Sequence, residues 1–282
     1  MLETLGHYRI LDRVGVDGIG ELYRARDTRL GRTAALRVVG EAIRTDPERL
    51  RQFLADARAA AALSHPNIAA LYEVAEDSGV TFLACEYVTG QKLQSLIAGR
   101  PLNPRRAVDL TIQIADALAE ASTGELAHGH VRTDTIIVTA KGHAKLLDFG
   151  LAGWLADGRT RAASDHQADL AALGRVLYEM LTGNVPATGA APAIDARLPG
   201  ELDAVVRKTL GWRSDDAYES AATLAADLRS VLAALDDRAH AVIVPSPIVL
   251  ARSPKQTALI WLMVLALLGG IGWLVWMAAA AR

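Results

Sequence analysis

An aspartate, an aromatic residue and a glycine stand together at Asp148-Phe149-Gly150. They close a stretch, residues 144–152, that alternates like a strand through Leu146 and Leu147. An acidic residue at the end of a buried strand, followed by an aromatic and a glycine, suits a hinge that holds a cation. A second chemical candidate is the turn from Val14 to Tyr23, with glycines at Gly15, Gly18 and Gly20. Such glycines let backbone N–H groups approach a phosphate closely. The same residues also suit an ordinary hairpin turn. No Cys/His metal pattern occurs, and Cys85 is the only cysteine, so an intramolecular disulfide is excluded and a reducing compartment fits. A lone cysteine of this kind is usually a small hydrophobe.

The elements that must position these residues follow from period and punctuation. Residues 8–14, 21–27 and 32–39 read as three short strands separated by glycine-bearing turns. A helix begins near Thr45 or Asp46, with Pro47 at a favoured early position and Glu48 placed to complete a capping box. It ends near Leu63, before Ser64-His65-Pro66-Asn67. Residues 68–74 and 80–87 read as two further strands around the Glu76-Asp77-Ser78-Gly79 turn. From Leu93 the pattern turns helical. Asn103 and Pro104 open a long helix whose Ala107, Leu110, Ile114, Leu118 and Ala121 form one apolar stripe. Another helix starts near Asp169 and stops at Gly183. Core helices are expected again at residues 202–210 and 221–235.

Composition sets outer limits. A chain of 282 residues, just over half of them apolar, can bury a two-lobed domain and still carry a tail. A formal net charge of −2 gives no electrostatic case for nucleic-acid binding. The first ten residues lack a basic region followed by an apolar run, so they do not read as a secretory signal. Residues 257–281 carry no charge and are mostly Leu, Ile, Val, Ala, Met and Trp. As a helix they would span about 37 Å at ~1.5 Å per residue, against a hydrocarbon core of about 30 Å. Trp261 lies near one end and Trp273 and Trp276 near the other, where interfacial indoles belong. Arg252 and Lys255 precede the segment and Arg282 follows it, which favours a cytoplasmic N-terminal domain. The expectation is a single-pass membrane helix at 257–281, the alternative being a buried core helix. Residues 238–256, with Pro245, Pro247 and Pro254, read as an extended linker.

In order and spacing, residues 5–235 resemble the bacterial Ser/Thr protein kinase family. The resemblance is specific at Tyr23–Asp27, Ser64–Ile68, Glu86–Gly90, Leu146–Ala152 and Val176–Gly183. It implies an α+β, protein-kinase-like two-lobed fold over residues 1–237. The small lobe, about 1–88, would hold five strands and one helix, and the mostly helical large lobe would take about 89–237. It also implies a nucleotide site. Gly15 and Gly20 match the first and third glycines of the Gly-rich loop, while Asp17 replaces the second and would face triphosphate. Leu22 and Ala35 would roof the adenine pocket, Ile137 would floor it, and the hinge backbone at Glu86 and Val88 would bond the base edge. Cys85 then falls on the back wall. Arg37 stands at the position of the family's phosphate-holding lysine, and Asp56 at that of its helix glutamate. Their combined reach allows a surviving Arg37–Asp56 ion pair, or both are solvated charges.

The departures fall where the chemistry should be. On the ungapped register of the catalytic loop, His128 keeps the family histidine and His130 stands at the catalytic aspartate. Arg132 replaces the lysine, and Thr135 replaces the metal-binding asparagine. A histidine can accept a proton near neutral pH, yet its ring is bulkier than a carboxylate, and a structural role is the alternative. Thr135 offers one neutral oxygen and is a poor magnesium ligand. Asp148 remains as one metal position. Asp169 resembles the buried aspartate that braces the catalytic loop. The activation segment, 154–164, is short and no Ala-Pro-Glu triplet follows it. The expectation is a membrane-anchored pseudokinase, its domain in the cytoplasm, that can bind ATP, with magnesium on one remaining ligand. It would act as a signalling or scaffold module toward a cytoplasmic or membrane protein. The alternative is a weak or unconventional Ser/Thr kinase using Arg37, His130 and Asp148.

Overall fold

The computed structural model describes residues 2–155, 166–186, 200–210 and 217–243, with positions 263, 266, 268, 270 and 273. The chain divides into two units, Met1–Asp237 and Arg238–Arg282. The first opens with β1 (Thr4–Leu5), β2 (Tyr8–Val16), β3 (Gly20–Asp27) and β4 (Thr33–Val39). Two helices follow, α1 (Glu41–Arg44) and α2 (Pro47–Ala61), then β5 (Leu71–Asp77) and β6 (Val80–Glu86). The strands form one antiparallel sheet in the order β1-β2-β3-β4-β6-β5. The small lobe thus has six strands and two helices where five and one were expected. The extra pieces are too short for periodicity to reveal: β1 has two residues and α1 has four.

Strand period decides what each face carries. On β4, Ala34 and Leu36 point to one side, where they pack with Leu5, Tyr8, Ala25, Phe82 and Ala84. Ala35, Arg37 and Val39 point to the other. There Ala35 pairs with Cys85 and Arg37 with Leu83 on β6. Val39 and Leu83 join Phe53, Ala57 and Ala60 of α2 in a second cluster. One charged residue, Arg37, is therefore carried to the inner face by alternation alone.

Helix α2 begins one residue later than a Thr45 cap would require. Asp46 is the cap, accepting from the N–H of Glu48 and Arg49 at 3.0 and 3.2 Å. The capping box does not form, because Glu48 then sits one position early and its carboxylate pairs with Arg51. The strand expected at 68–74 lies at Leu71–Asp77. Ile68 instead bridges to Leu146 and ties the chain after α2 to the large lobe.

The large lobe holds β7 (Gln91–Lys92), α3 (Leu93–Ile97), α4 (Pro104–Thr123), β8 (Ile136–Val138) and β9 (Ala144–Leu146). After them come α5 (Ala152–Leu155), α6 (His166–Thr182), α7 (Gly200–Thr209) and α8 (Ala221–Ile243). Asn103 caps α4 through its side chain, and the whole expected stripe from Ala107 to Ala121 is buried. That stripe packs with Leu173, Val176 and Leu177 of α6 in the main core. Gly90 lies between the lobes, where a Cβ would stand 2.4 Å from the Val138 carbonyl oxygen, so no larger residue fits without movement. The linker expected from Arg238 starts later, since α8 continues to Ile243; no helix breaker occurs before Pro245. Most of the activation segment read at 154–164 and most of 257–281 lie outside the described residues. Among the described residues no helix is long and apolar enough to cross a membrane.

Candidate functional site

A cavity of about 510 Å³ opens beneath the small-lobe sheet. Its walls include Val14, Leu22, Ala35 and Leu71 on one side and Ile137 on the other. Glu86 and Val88 supply its hinge edge and Cys85 part of its back. The expected roof, floor and hinge are thus brought together. Flat apolar walls with a few polar groups at the rim suit a planar aromatic ligand. Lysine and carboxylate further tie the hinge down: Lys145 Nζ donates to Glu86 Oε2 at 2.8 Å. Burial pushes the Cys85 thiol up to about 12, against the opposing pull of Arg37, so it is not a nucleophile near neutral pH.

The polar end of the cavity is built around Arg37, which is 6% exposed. Its Nη1 donates to Asp148 Oδ1 at 2.7 Å, and its Nη2 lies 3.0 Å from Asp17 Oδ2. Burial opposes the charge, but Asp148 and Asp17 outweigh it and the guanidinium pKa is raised. Its Nε is buried without an acceptor. Asp17 is itself held by the Gly-rich turn. Its Oδ1 accepts from the N–H of Ile19 and Gly20 at 2.9 and 3.2 Å, and its own N–H donates to the Gly20 carbonyl. Gly15 lines the cavity and Gly20 does not. Gly20 serves the backbone: a Cβ there would sit 1.9 Å from the Val38 carbonyl oxygen.

Arg37 does not pair with Asp56. Period 2 on β4 aims the arginine at the loop after β9, where Asp148 waits with a left-handed backbone, φ 57°. Asp56 accepts instead from the indole N–H of Trp154 at 3.1 Å. Trp154, on α5, is 2% exposed and packs edge-on against Phe53 of α2. The short helix after Asp148-Phe149-Gly150 therefore takes the carboxylate that Arg37 was expected to meet. An apolar-looking Trp gave no sequence sign of this role.

The catalytic-loop positions mostly brace the fold. Asp169 accepts from the backbone N–H of His128 and Gly129 at 2.6 and 2.8 Å, as its resemblance implied. His128 is buried, and burial pushes its pKa down. Its Nε2 is 2.8 Å from the Leu147 carbonyl oxygen and its Nδ1 accepts from His130 N–H, the pattern of a neutral ring. His130 is half-buried and does not line the cavity. Neither does Arg132, which turns outward to Asp134. Thr135 is buried and its hydroxyl is spent within the loop, accepting from Arg132 N–H and donating to the Arg132 carbonyl. Thr135, given a weak metal role from the sequence, does not line the cavity. Two charged cavity-lining residues were missed, Asp134 and Lys92; their surface-like charge offers no signal in the sequence.

A magnesium nucleotide would meet one of its expected ligands here, Asp148, already paired with Arg37. Protein kinases in general use ATP with magnesium held by the aspartate of this strand and a catalytic-loop amide. Here one Asp148 oxygen is engaged by Arg37, and Thr135, at the amide position, has its hydroxyl bonded within the loop.

This two-lobed architecture, with its cavity between sheet and catalytic-type loop, is that of a protein kinase, and residues 8–165 match the family described as "Protein kinase domain". The chain belongs to that family, in its bacterial Ser/Thr branch. It is 30% identical over 269 residues to a probable serine/threonine-protein kinase of Streptomyces coelicolor. It is 28% identical to PrkC of Bacillus subtilis and 31% identical to PknB of Mycolicibacterium smegmatis. These alignments cover 80%, 80% and 78% of this chain but 40%, 40% and 42% of the relatives, so the chain spans about 40% of their length. Among solved structures, the PknI kinase domain of Mycobacterium tuberculosis superposes with a TM-score of 0.66 at 25% identity. It covers 81% of this chain and 97% of that one.

Proposed function

We propose that this chain is a membrane-anchored pseudokinase, a signalling or scaffold module of kinase fold that works by binding and not by phosphoryl transfer. The observation that carries this reading is the salt bridge between Arg37 and Asp148, which ties the surviving metal-position carboxylate to the residue at the lysine position. The reading gains support from His130 and Thr135, which stand at the base and second-ligand positions and do not line the cavity. Phosphoryl transfer in this fold depends on positioning and charge stabilisation at those positions. The cavity itself supports occupation by a nucleoside or nucleotide.

The anchor is proposed at residues 257–281, with the kinase-like domain in the cytoplasm and a cytoplasmic or membrane protein as its partner. Met263, Leu268 and Trp273, the described large apolar positions of that segment, are helical and exposed, as a lipid-facing surface would be. A second reading, a weak Ser/Thr kinase, is favoured by the names of the relatives and by Asp148 lining the cavity. Incubation of the chain with labelled ATP and magnesium separates the two. No transfer above background is expected. Transfer that His130→Ala and Asp148→Ala both abolish would establish the kinase.

A further inference from the structure

We infer that Asp17 is an internal anion filling the phosphate end of the cavity, so that the site takes an uncharged purine nucleoside in preference to its triphosphate. The inference rests on reading the cavity as a nucleotide-type pocket, and it deepens that reading by naming the ligand class.

Three observations carry it. First, the Asp17 Oδ1 already holds the N–H groups of Ile19 and Gly20, the donors that a glycine-bearing turn would present to a phosphate. Second, the Asp17 Oδ2 and Asp148 share the buried guanidinium of Arg37. Two carboxylates against one cation leave this end of the cavity with a formal charge of −1 before any ligand arrives. Arg37 cannot be drawn toward a phosphate without exposing both carboxylates to it, and its Nε is buried without an acceptor. Third, one oxygen of Asp148, the carboxylate that would meet a divalent cation beside a triphosphate, is already engaged by Arg37. A ligand carrying several negative charges would therefore meet like charge in a site of low dielectric, where such contacts cost most. The apolar end is unaffected. Leu22, Ala35 and Ile137 can still clamp a flat base, and the hinge at Glu86–Val88 remains at its edge. Asp17 thus selects against phosphate without touching the base.

The test is calorimetric titration of the full chain, purified in detergent, with adenosine, AMP, ADP and ATP, each with and without magnesium. Affinity is expected to fall with each added phosphate, adenosine binding at least tenfold more tightly than ATP and magnesium changing ATP affinity less than twofold. Asp17→Asn keeps an oxygen for the turn and removes the charge; Asp17→Gly restores a glycine. Each is expected to raise ATP affinity at least tenfold while leaving adenosine within threefold. A merely structural Asp17 would weaken both ligands together. ATP binding as tightly as adenosine in the parent chain would overturn the inference, as would an unchanged ligand order in Asp17→Asn. Absence of binding by all four ligands would also overturn it, while leaving the non-catalytic scaffold reading intact. Asp148-dependent phosphate transfer is scored separately and sinks the scaffold reading instead.

Discussion

Arg37 shows how one residue can be recognised by position and still be misjudged in its partner. The sequence marks it as the base of the third main strand, and the structure surrounds it with two carboxylates in place of one. Removing a buried cation from between its partners leaves their charge uncompensated, which costs about 3–5 kcal/mol. Arg37→Leu is therefore expected to lower unfolding free energy by that order, measured by denaturant titration. Arg37→Lys should cost less, since a point-like ammonium keeps the charge but lacks the fork that reaches both oxygens. A leucine variant as stable as the parent would mean that the bridge contributes nothing. His128 gives a pH prediction. Burial holds its pKa below the ordinary histidine value, so the folded state keeps the ring neutral while the unfolded chain protonates near pH ~6.5. Stability tied to the neutral ring is whole above that pH and is lost as pH falls through and below it. His128→Asn is expected to flatten the decline in denaturation midpoint between pH 7.5 and 5.

At the scale of elements, the contact between α2 and α5 has the largest consequence. In this arrangement the indole of Trp154 both donates to Asp56 and packs on Phe53, fixing α2 against the segment that follows Gly150. Trp154→Phe removes the donor and keeps most of the ring, so it should cost about 1 kcal/mol. Trp154→Ala empties a buried site and should cost about 3–5 kcal/mol. Equal losses for the two would show that packing contributes little and the hydrogen bond nearly everything. The elements themselves were largely legible: the stripe of α4, its Asn103 cap and the strands on either side of the Gly-rich turn follow from local period and turn chemistry. The two-residue β1 and four-residue α1 were not, because elements that short carry no period and form only through the packing around them.

For the molecule as a whole, the kinase family match over residues 8–165 falls within the first unit, and the second is where the proposed anchor lies. Deleting residues 257–281 is expected to move the chain from the membrane pellet to the supernatant on fractionation. An intact chain found in the supernatant would remove the anchor. On the proposed pseudokinase reading, the same scale explains why the fold persists without the activity. The core of α4 and α6, the bracing of the catalytic-type loop by Asp169 and the tie between Lys145 and Glu86 all persist, as does Asp148, while other positions that would touch phosphate or metal have changed. Stability is distributed over many apolar contacts, whereas phosphoryl transfer depends on a few charges in fixed places.

Sequence alone determined the register of the motifs, the order of strands and helices, and the apolar walls of the cavity. Each of these follows from local periodicity, spacing or resemblance along the chain. Only the tertiary structure decided that Arg37 meets Asp17 and Asp148, that Asp56 meets Trp154, and that Thr135 turns inward to its own loop. Those choices belong to side chains distant in sequence competing for buried partners. Which carboxylate a buried guanidinium reaches depends on where the backbone has already placed each of them.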